Sequence, residues 1–306
     1  MVQPLRFGVI RNNILSWDET IAQWRRFEEA GFDSVWNCDH FQRPSDPGGP
    51  HLDAWTILAA VAAGTSRVRL GVLVTSNTFR HPALLAKQAV TVDHVSGGRL
   101  ELGIGTGWFR EEHDRFGIPF PPTPELVERF QEAVEIVDLL MRQDVTTYEG
   151  RHYRLQDAPF RPAPIQKPRP PLTLGAHGPR MLRIVARYAD RWNSYASVEE
   201  MRARNEAIDR ACAEIGRDPS ELTRSVALVV CVGRDDAEVA ARAAKIGREV
   251  GELRANGVAG SPAEAVERLS EWREKTGVSR VYLQVLDLAD LDQVELIAAE
   301  VATRLA

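Results

Sequence analysis

Four short groups of residues in this sequence have the right types to do chemistry. Asp39-His40 sets a carboxylate next to an imidazole. The His40 ring titrates near neutrality, so it can take or give a proton during turnover. The two are neighbours on a strand end and are expected to point apart. Thr75-Ser76-Asn77-Thr78 puts four small polar side chains directly after an apolar run. One helix cap needs fewer. Such groups can hydrogen-bond the edge of a flat heteroaromatic ring while the backbone passes beneath it. Gly105-Thr106-Gly107 lets the main chain approach a ligand closely. Gly178-Pro179-Arg180, just after His177, reads as the first turn of a helix, where proline costs no hydrogen bond. The free N–H groups and the helix dipole there favour a phosphate, and Arg180 can add a charged fork.

None of these groups adjoins another in sequence, so a fold has to gather them. The chain from Val68 to His113 shows the unit: an apolar run to Val74, a helical pattern from about Pro82 to His94, a Gly-Gly turn, and a second apolar run from Leu100 to Ile104. Strand, helix and strand follow in turn, with polar residues where each strand ends. Similar runs occur at Leu5–Ile10, Asp33–Trp36, Leu172–Gly175, Asp190–Asn193, Ser225–Val232 and Val278–Val285. The strands are mostly apolar throughout, as expected of a parallel sheet buried on both faces. Ser16 or Asp18 can cap the first helix, and Gly31 closes it. Eight such units in 306 residues point to an α/β fold, a (β/α)8 TIM barrel with active-site residues at the C-terminal strand ends. An open doubly wound sheet is the rival, but no GxGxxG follows the first strand. We expect one domain over residues 1–306, with insertion-type loops at 108–122 and 144–171. A small hairpin falls within the second, ahead of a proline-rich connector.

The composition narrows the classes of function. The chain is 44% hydrophobic and 26% charged, with a net charge of -5. That is an ordinary globular balance and a poor one for general nucleic-acid binding. No apolar stretch is long enough for a membrane span. The first residues lack the features of a secretory signal, so a cytoplasmic location is expected. Cys38, Cys212 and Cys231 are scattered and read as free thiols. The seven histidines lack HxxxH spacing, and no metal is expected. GxSxG is absent, which excludes that class of serine hydrolase. Trp36, Trp108 and Trp192 can either wall a pocket or fill the core.

The stretches Gly31–Phe41, Val68–Trp108, Leu172–Asn193 and Ser261–Leu283 together are similar to the luciferase-like oxidoreductase family, and within it to the deazaflavin (coenzyme F420)-dependent branch. The resemblance covers nearly the whole chain. It implies a TIM barrel, usually dimeric, that binds F420 or flavin mononucleotide (FMN) on its C-terminal face. It implies that Thr75 and Ser76 lie in the bulged end of the third strand, against the pyrimidine side of the ring, where a non-prolyl cis peptide is often found. It further implies that the turn Ala176–Arg180 holds phosphate, and it matches Arg80-His81-Pro82 to the family's RHP sequence. Asp39 to Gln42 resemble the family's sugar-phosphate dehydrogenases, in which the histidine takes a proton and a glutamate just after the GTG segment is its partner. Here Trp108 stands in that place, with Glu111 and Glu112 three and four residues on. The resemblance therefore implies His40 as the catalytic residue. For the cofactor it implies Asp39, Thr75, Ser76, Asn77, Gly105, Thr106, Gly107, His177, Gly178, Pro179 and Arg180. The expected activity is hydride transfer between C5 of F420 and a small organic substrate. FMN-dependent monooxygenation, with a reductase partner, is the alternative. A non-catalytic flavin- or deazaflavin-binding protein is a second.

Overall fold

The computed structural model describes residues 4–306. The reading of the first residues as free of a targeting signal lies partly outside them. Eight parallel strands form the frame: β1 (Arg6–Ile10), β2 (Ser34–Asn37), β3 (Arg69–Val72), β4 (Leu100–Gly105), β5 (Leu172–Gly175), β6 (Arg191–Ser194), β7 (Thr223–Val232) and β8 (Arg280–Gln284). Each pairs with the next, and β8 pairs back onto β1 from Arg6↔Arg280 to Ile10↔Gln284. The sheet is therefore closed, and the expected TIM barrel replaces the open-sheet rival. All four residues of β2 and all six of β4 are buried. That explains why these runs are mostly apolar and do not alternate: helices cover the outside while the barrel interior closes the inside.

The helices are α1 (Trp17–Glu29), α2 (Ala54–Gly64), α3 (Pro82–Val95), α4 (Arg110–Phe116), α5 (Thr123–Arg142), α6 (Pro179–Tyr188), α7 (Val198–Glu214), α8 (Asp236–Lys245), α9 (Val250–Asn256), α10 (Pro262–Thr276) and α11 (Leu291–Ile297). Ser16, rather than Asp18, caps α1, and Glu19 reaches back to complete the capping box. The same device starts α7 (Ser197, Glu200) and α10 (Ser261, Glu264). The main core lies between helices and sheet. It includes Trp24, Leu58, Val90, Phe130, Trp192 and Trp272, each fully enclosed. Inside the barrel a smaller cluster joins Ile10, Trp36, Leu73, Ala227 and Tyr282. Trp36 and Trp192 are thus core residues, whereas Trp108 is 67% exposed.

Three local features refine the expected frame. Residues 108–122 are not a plain loop, because they contain α4. The third strand is interrupted: the Leu73–Val74 peptide is cis, and pairing resumes at Thr75–Ser76, which sit beside Ile104 and Gly105 of β4. The cis bond thus lies in the bulged end of this strand, where the resemblance implies one. After β7 come α8, α9 and a short strand, Val258–Gly260, that pairs in parallel with the last three residues of β7. The hairpin appears as expected, with Val145–Glu149 antiparallel to Arg154–Pro159. Among the described residues no helix is long and apolar enough to cross a membrane.

Candidate active site

The C-terminal strand ends surround a cleft of about 610 Å³. Its floor is apolar: Leu73 and Val74 after β3, and Ala176 after β5. Val74 fills the space over two glycines. A Cβ on Gly105 would lie 2.5 Å from Val74 Cγ2, and one on Gly175 3.2 Å from it. Larger residues at these positions would push the floor upward, so glycine there keeps it flat. Gly107 is required twice over. Its φ is +85°, and a Cβ there would meet Thr78 Oγ1 at 2.7 Å and Ser76 Oγ at 2.8 Å. Asn12, Asn193 and Gln284 add amides around the rim.

His40 stands at one side of this cleft. Its Nδ1 lies 2.9 Å from Glu112 Oε1, and the other oxygen of Glu112 accepts the Phe41 N–H at 3.0 Å. Glu112 is only 1% exposed. Its carboxylate accepts from Nδ1–H, which leaves Nε2 as the basic nitrogen toward the cleft. The rings of Trp108, Phe109 and His51 stand edge-on to His40, with centroids 5.9, 6.3 and 6.5 Å away. Burial and the charge of His40 push the His51 ring down to about 4, so His51 stays neutral. Burial also pushes the Cys38 thiol up to about 12, with Asp39 adding to it.

Glu112 is the functional residue that the sequence reading missed. Placing Trp108 where a glutamate was expected left no carboxylate beside His40. The short helix α4 restores one from four residues further on. The available signal was a pair of acids, Glu111-Glu112, in a charged segment bounded by Trp108-Phe109 and Phe116. Their spacing carried no apolar period to reveal the helix that turns Glu112 inward.

The remaining expected residues divide into those that face the cleft and those that hold the frame. Asp39 borders the cleft, but its carboxylate is occupied. Oδ2 accepts from the Ser76 N–H at 2.9 Å and from Arg80 Nη1 at 2.6 Å, and Oδ1 accepts from Arg80 Nη2 at 3.0 Å. Asp39 thereby fixes the continuation of β3. Thr75 accepts from the Trp55 indole N–H at 3.2 Å. Thr75, Ser76, Gly105, Thr106, Gly107 and His177 all line the cleft. Asn77 does not; it is buried and ties its N–H to the Gly105 carbonyl at 3.0 Å. Gly178, Pro179 and Arg180 begin α6 just beyond the lining residues. Gly178 is the N-cap, at φ +89°, and no side chain caps the helix, so its first-turn donors are free for an anion. Arg180 is half exposed, with its guanidinium 3.8 Å from Glu128 on α5.

Ser76 is oriented by a chain of hydroxyls. His113, fully buried on α4, has Nδ1 2.8 Å from the Phe109 carbonyl and Nε2 2.6 Å from Thr78 Oγ1. A carbonyl can only accept, so Nδ1 carries a proton, and in that singly protonated tautomer Nε2 accepts from Thr78. Thr78 then accepts from Ser76, 2.8 Å away. The Ser76 oxygen is left with lone pairs and no proton toward the cleft, and is complementary to an N–H of a ligand. An apolar floor, a glycine rim, an acceptor at the edge and an uncapped helix start together fit a flat, N–H-bearing heteroaromatic ring carrying a phosphate.

Residues 3–276 match the family described as Luciferase-like monooxygenase. A stretch of 192 residues is 36% identical to the F420-dependent glucose-6-phosphate dehydrogenase of Microbacterium testaceum, covering 62% of this chain and 56% of that protein. Over 199 residues the identity is 35% to the phthiodiolone/phenolphthiodiolone dimycocerosates ketoreductase of Mycobacterium kansasii, covering 62% and 53%. The chain thus spans a little over half the length of these curated relatives. The solved structure of a coenzyme F420-dependent tetrahydromethanopterin reductase from Methanopyrus kandleri superposes with a TM-score of 0.83. At 22% identity over 99% of this chain and all of that one, it speaks for the fold.

Proposed function

We propose a function for a chain that belongs to the luciferase-like monooxygenase family: it is a coenzyme F420-dependent oxidoreductase acting on a small organic substrate. The observation that carries this reading is the His40–Glu112 pair at the edge of a flat-floored cleft. A group able to move one proton beside a ring site suits a substrate that exchanges a hydride and a proton together. The F420-dependent dehydrogenase relative supports the choice of cofactor. Bound F420 supplies a hydride acceptor or donor at C5 of its ring. The protein does the rest. Leu73, Val74 and Ala176 support the ring, Ser76 accepts an N–H at its edge, and Thr106 and Gly107 close one side. The free N–H groups at the start of α6, with His177, receive the phosphate. In the oxidative direction His40 Nε2 takes the substrate hydroxyl proton, and Glu112 stabilises the imidazolium that results. Trp108 and Tyr195 flank the mouth and limit the access of water.

The reading extends to a homodimer in the cytoplasm and to a separate reaction that recycles the cofactor. The experiment is a side-by-side fluorescence titration of cofactor-free protein with F420 and with FMN. We expect tight binding of F420 and weak binding of FMN. Preference for FMN would replace the reading with flavin-dependent monooxygenation, and binding of neither would overturn the ring site.

A further inference from the structure

A second cleft, of about 590 Å³, opens at the opposite end of the barrel, among the N-terminal strand ends. Its charges do not cancel. Arg6, Arg67, Arg69, Arg191 and Arg280 line it together with Glu28 and Asp33. Glu101, wholly buried at its inner end, holds Arg69, Arg191 and Arg280 at once. Five guanidiniums thus face three carboxylates. Glu28 is further committed to the backbone N–H groups of Ser66, Arg67 and Val68, and Asp33 to Arg6 and the Phe7 N–H.

Arg191 is the least satisfied member. Its side chain is 17% exposed and touches the Glu101 carboxylate. Its Nη1 is taken by that carboxylate, and its other nitrogens have no partner among the described residues. Arg191 thus keeps one ion pair, with Glu101, while the rest of its guanidinium is left without a protein acceptor and can donate to an anion in the cleft. Arg280 lies beside it, and the Thr223 and Ser279 residues border the same space.

We propose that this cleft binds a small oxyanion of the phosphate class, held by Arg191 and Arg280 with Arg69 at its inner side. The planar fork of a guanidinium matches the oxygens of such an anion, and a dianion would cancel the excess of two charges. The site is separate from the phosphate turn at α6, which lies at the other end of the barrel, and does not depend on the identity of the redox cofactor.

Thermal unfolding in sodium phosphate, against sodium chloride at matched ionic strength, tests the site when wild type is compared with Arg191→Met. The variant shares the general salt effect and any phosphate bound at α6, so the difference between the proteins isolates this cleft. We expect phosphate to raise the wild-type Tm by roughly 2–5 °C more than that of the variant, saturating with concentration. In chloride the variant, which loses the Arg191–Glu101 pair, should be less stable than wild type. Equal phosphate increments in the two proteins would overturn the proposal. Arg191→Lys keeps the charge but not the fork, and serves if the methionine variant does not fold. About tenfold weaker phosphate binding by calorimetry is expected for it, and unchanged binding would equally defeat the idea. A parallel titration with AMP separates the sources: tighter binding than inorganic phosphate marks a phosphate ester, and weaker binding marks the free ion.

Discussion

The two ends of this barrel carry clefts of nearly equal size, yet they spend their polar groups differently. At the C-terminal end, hydrogen bonds run in chains that finish on an open atom. His113, Thr78 and Ser76 lead to a free acceptor, and Glu112 leads through His40 to a free nitrogen. At the N-terminal end they converge on one carboxylate. Burial alone would push the Glu101 carboxyl up, but Arg280, Arg191 and Arg69 hold it below the usual range. The first arrangement presents groups to a ligand. The second joins strands β3, β4, β6 and β8 by charge. The mouth is therefore expected to govern turnover and the base to govern stability.

Substitutions at the two ends should separate these quantities. His40→Gln should lower kcat by about 10²–10⁴-fold, with Tm nearly unchanged; a variant that loses Tm instead would place His40 in the frame. Glu101→Gln leaves three arginines around a neutral amide. Unfolding in urea should show a loss of about 3–5 kcal/mol, while kcat per folded molecule stays at the wild-type level. A fall in kcat without that loss would erase the contrast between the ends. A smaller effect concerns pH. An unfolded histidine titrates near 6.5, whereas folded His51 titrates near 4. As pH falls from about 6.5 toward 4 the unfolded chain takes up a proton that the native state refuses, so stability drops through that window and is unaffected above it. Urea midpoints at pH 7.5 and 5 should show a wild-type loss that is reduced in His51→Phe. Thr78→Val gives the smallest change. It frees Ser76 to rotate and should weaken cofactor binding about 2–10-fold, measured by fluorescence titration with kcat little altered.

Much of the frame was legible because strands buried on both faces are apolar at most positions. The runs at Leu70–Val72 and Leu100–Ile104 could hardly be anything else, and the polar residues after them mark the mouth. The helix α4 was not legible. Its sequence, REEHDRF, turns Glu112 and His113 inward, so the buried face is polar and has no apolar period. The same fact hid the partner of His40, 72 residues away in sequence. Asp39 was implied as a ligand contact by the resemblance, and Arg180 was read as a charged fork at a helix start. Each has an opposite charge nearby, Arg80 or Glu128, that only the fold brings near. Asn77 is one residue too far along the strand to face the cleft.

The pairing of β1 with β8 also has a cost during synthesis. Arg6 finds its neighbour only when Arg280 has been made. At about 5–20 residues per second, β1 waits roughly 14–55 s with one edge unpaired. Neither cleft has its full wall in that interval, and the apolar faces of β2 and β4 have an open sheet beside them. A ribosome that stalls late in this message would hold a sticky crescent in place of a partly working enzyme. The nascent chain is thus a natural client for chaperones until the last strand emerges.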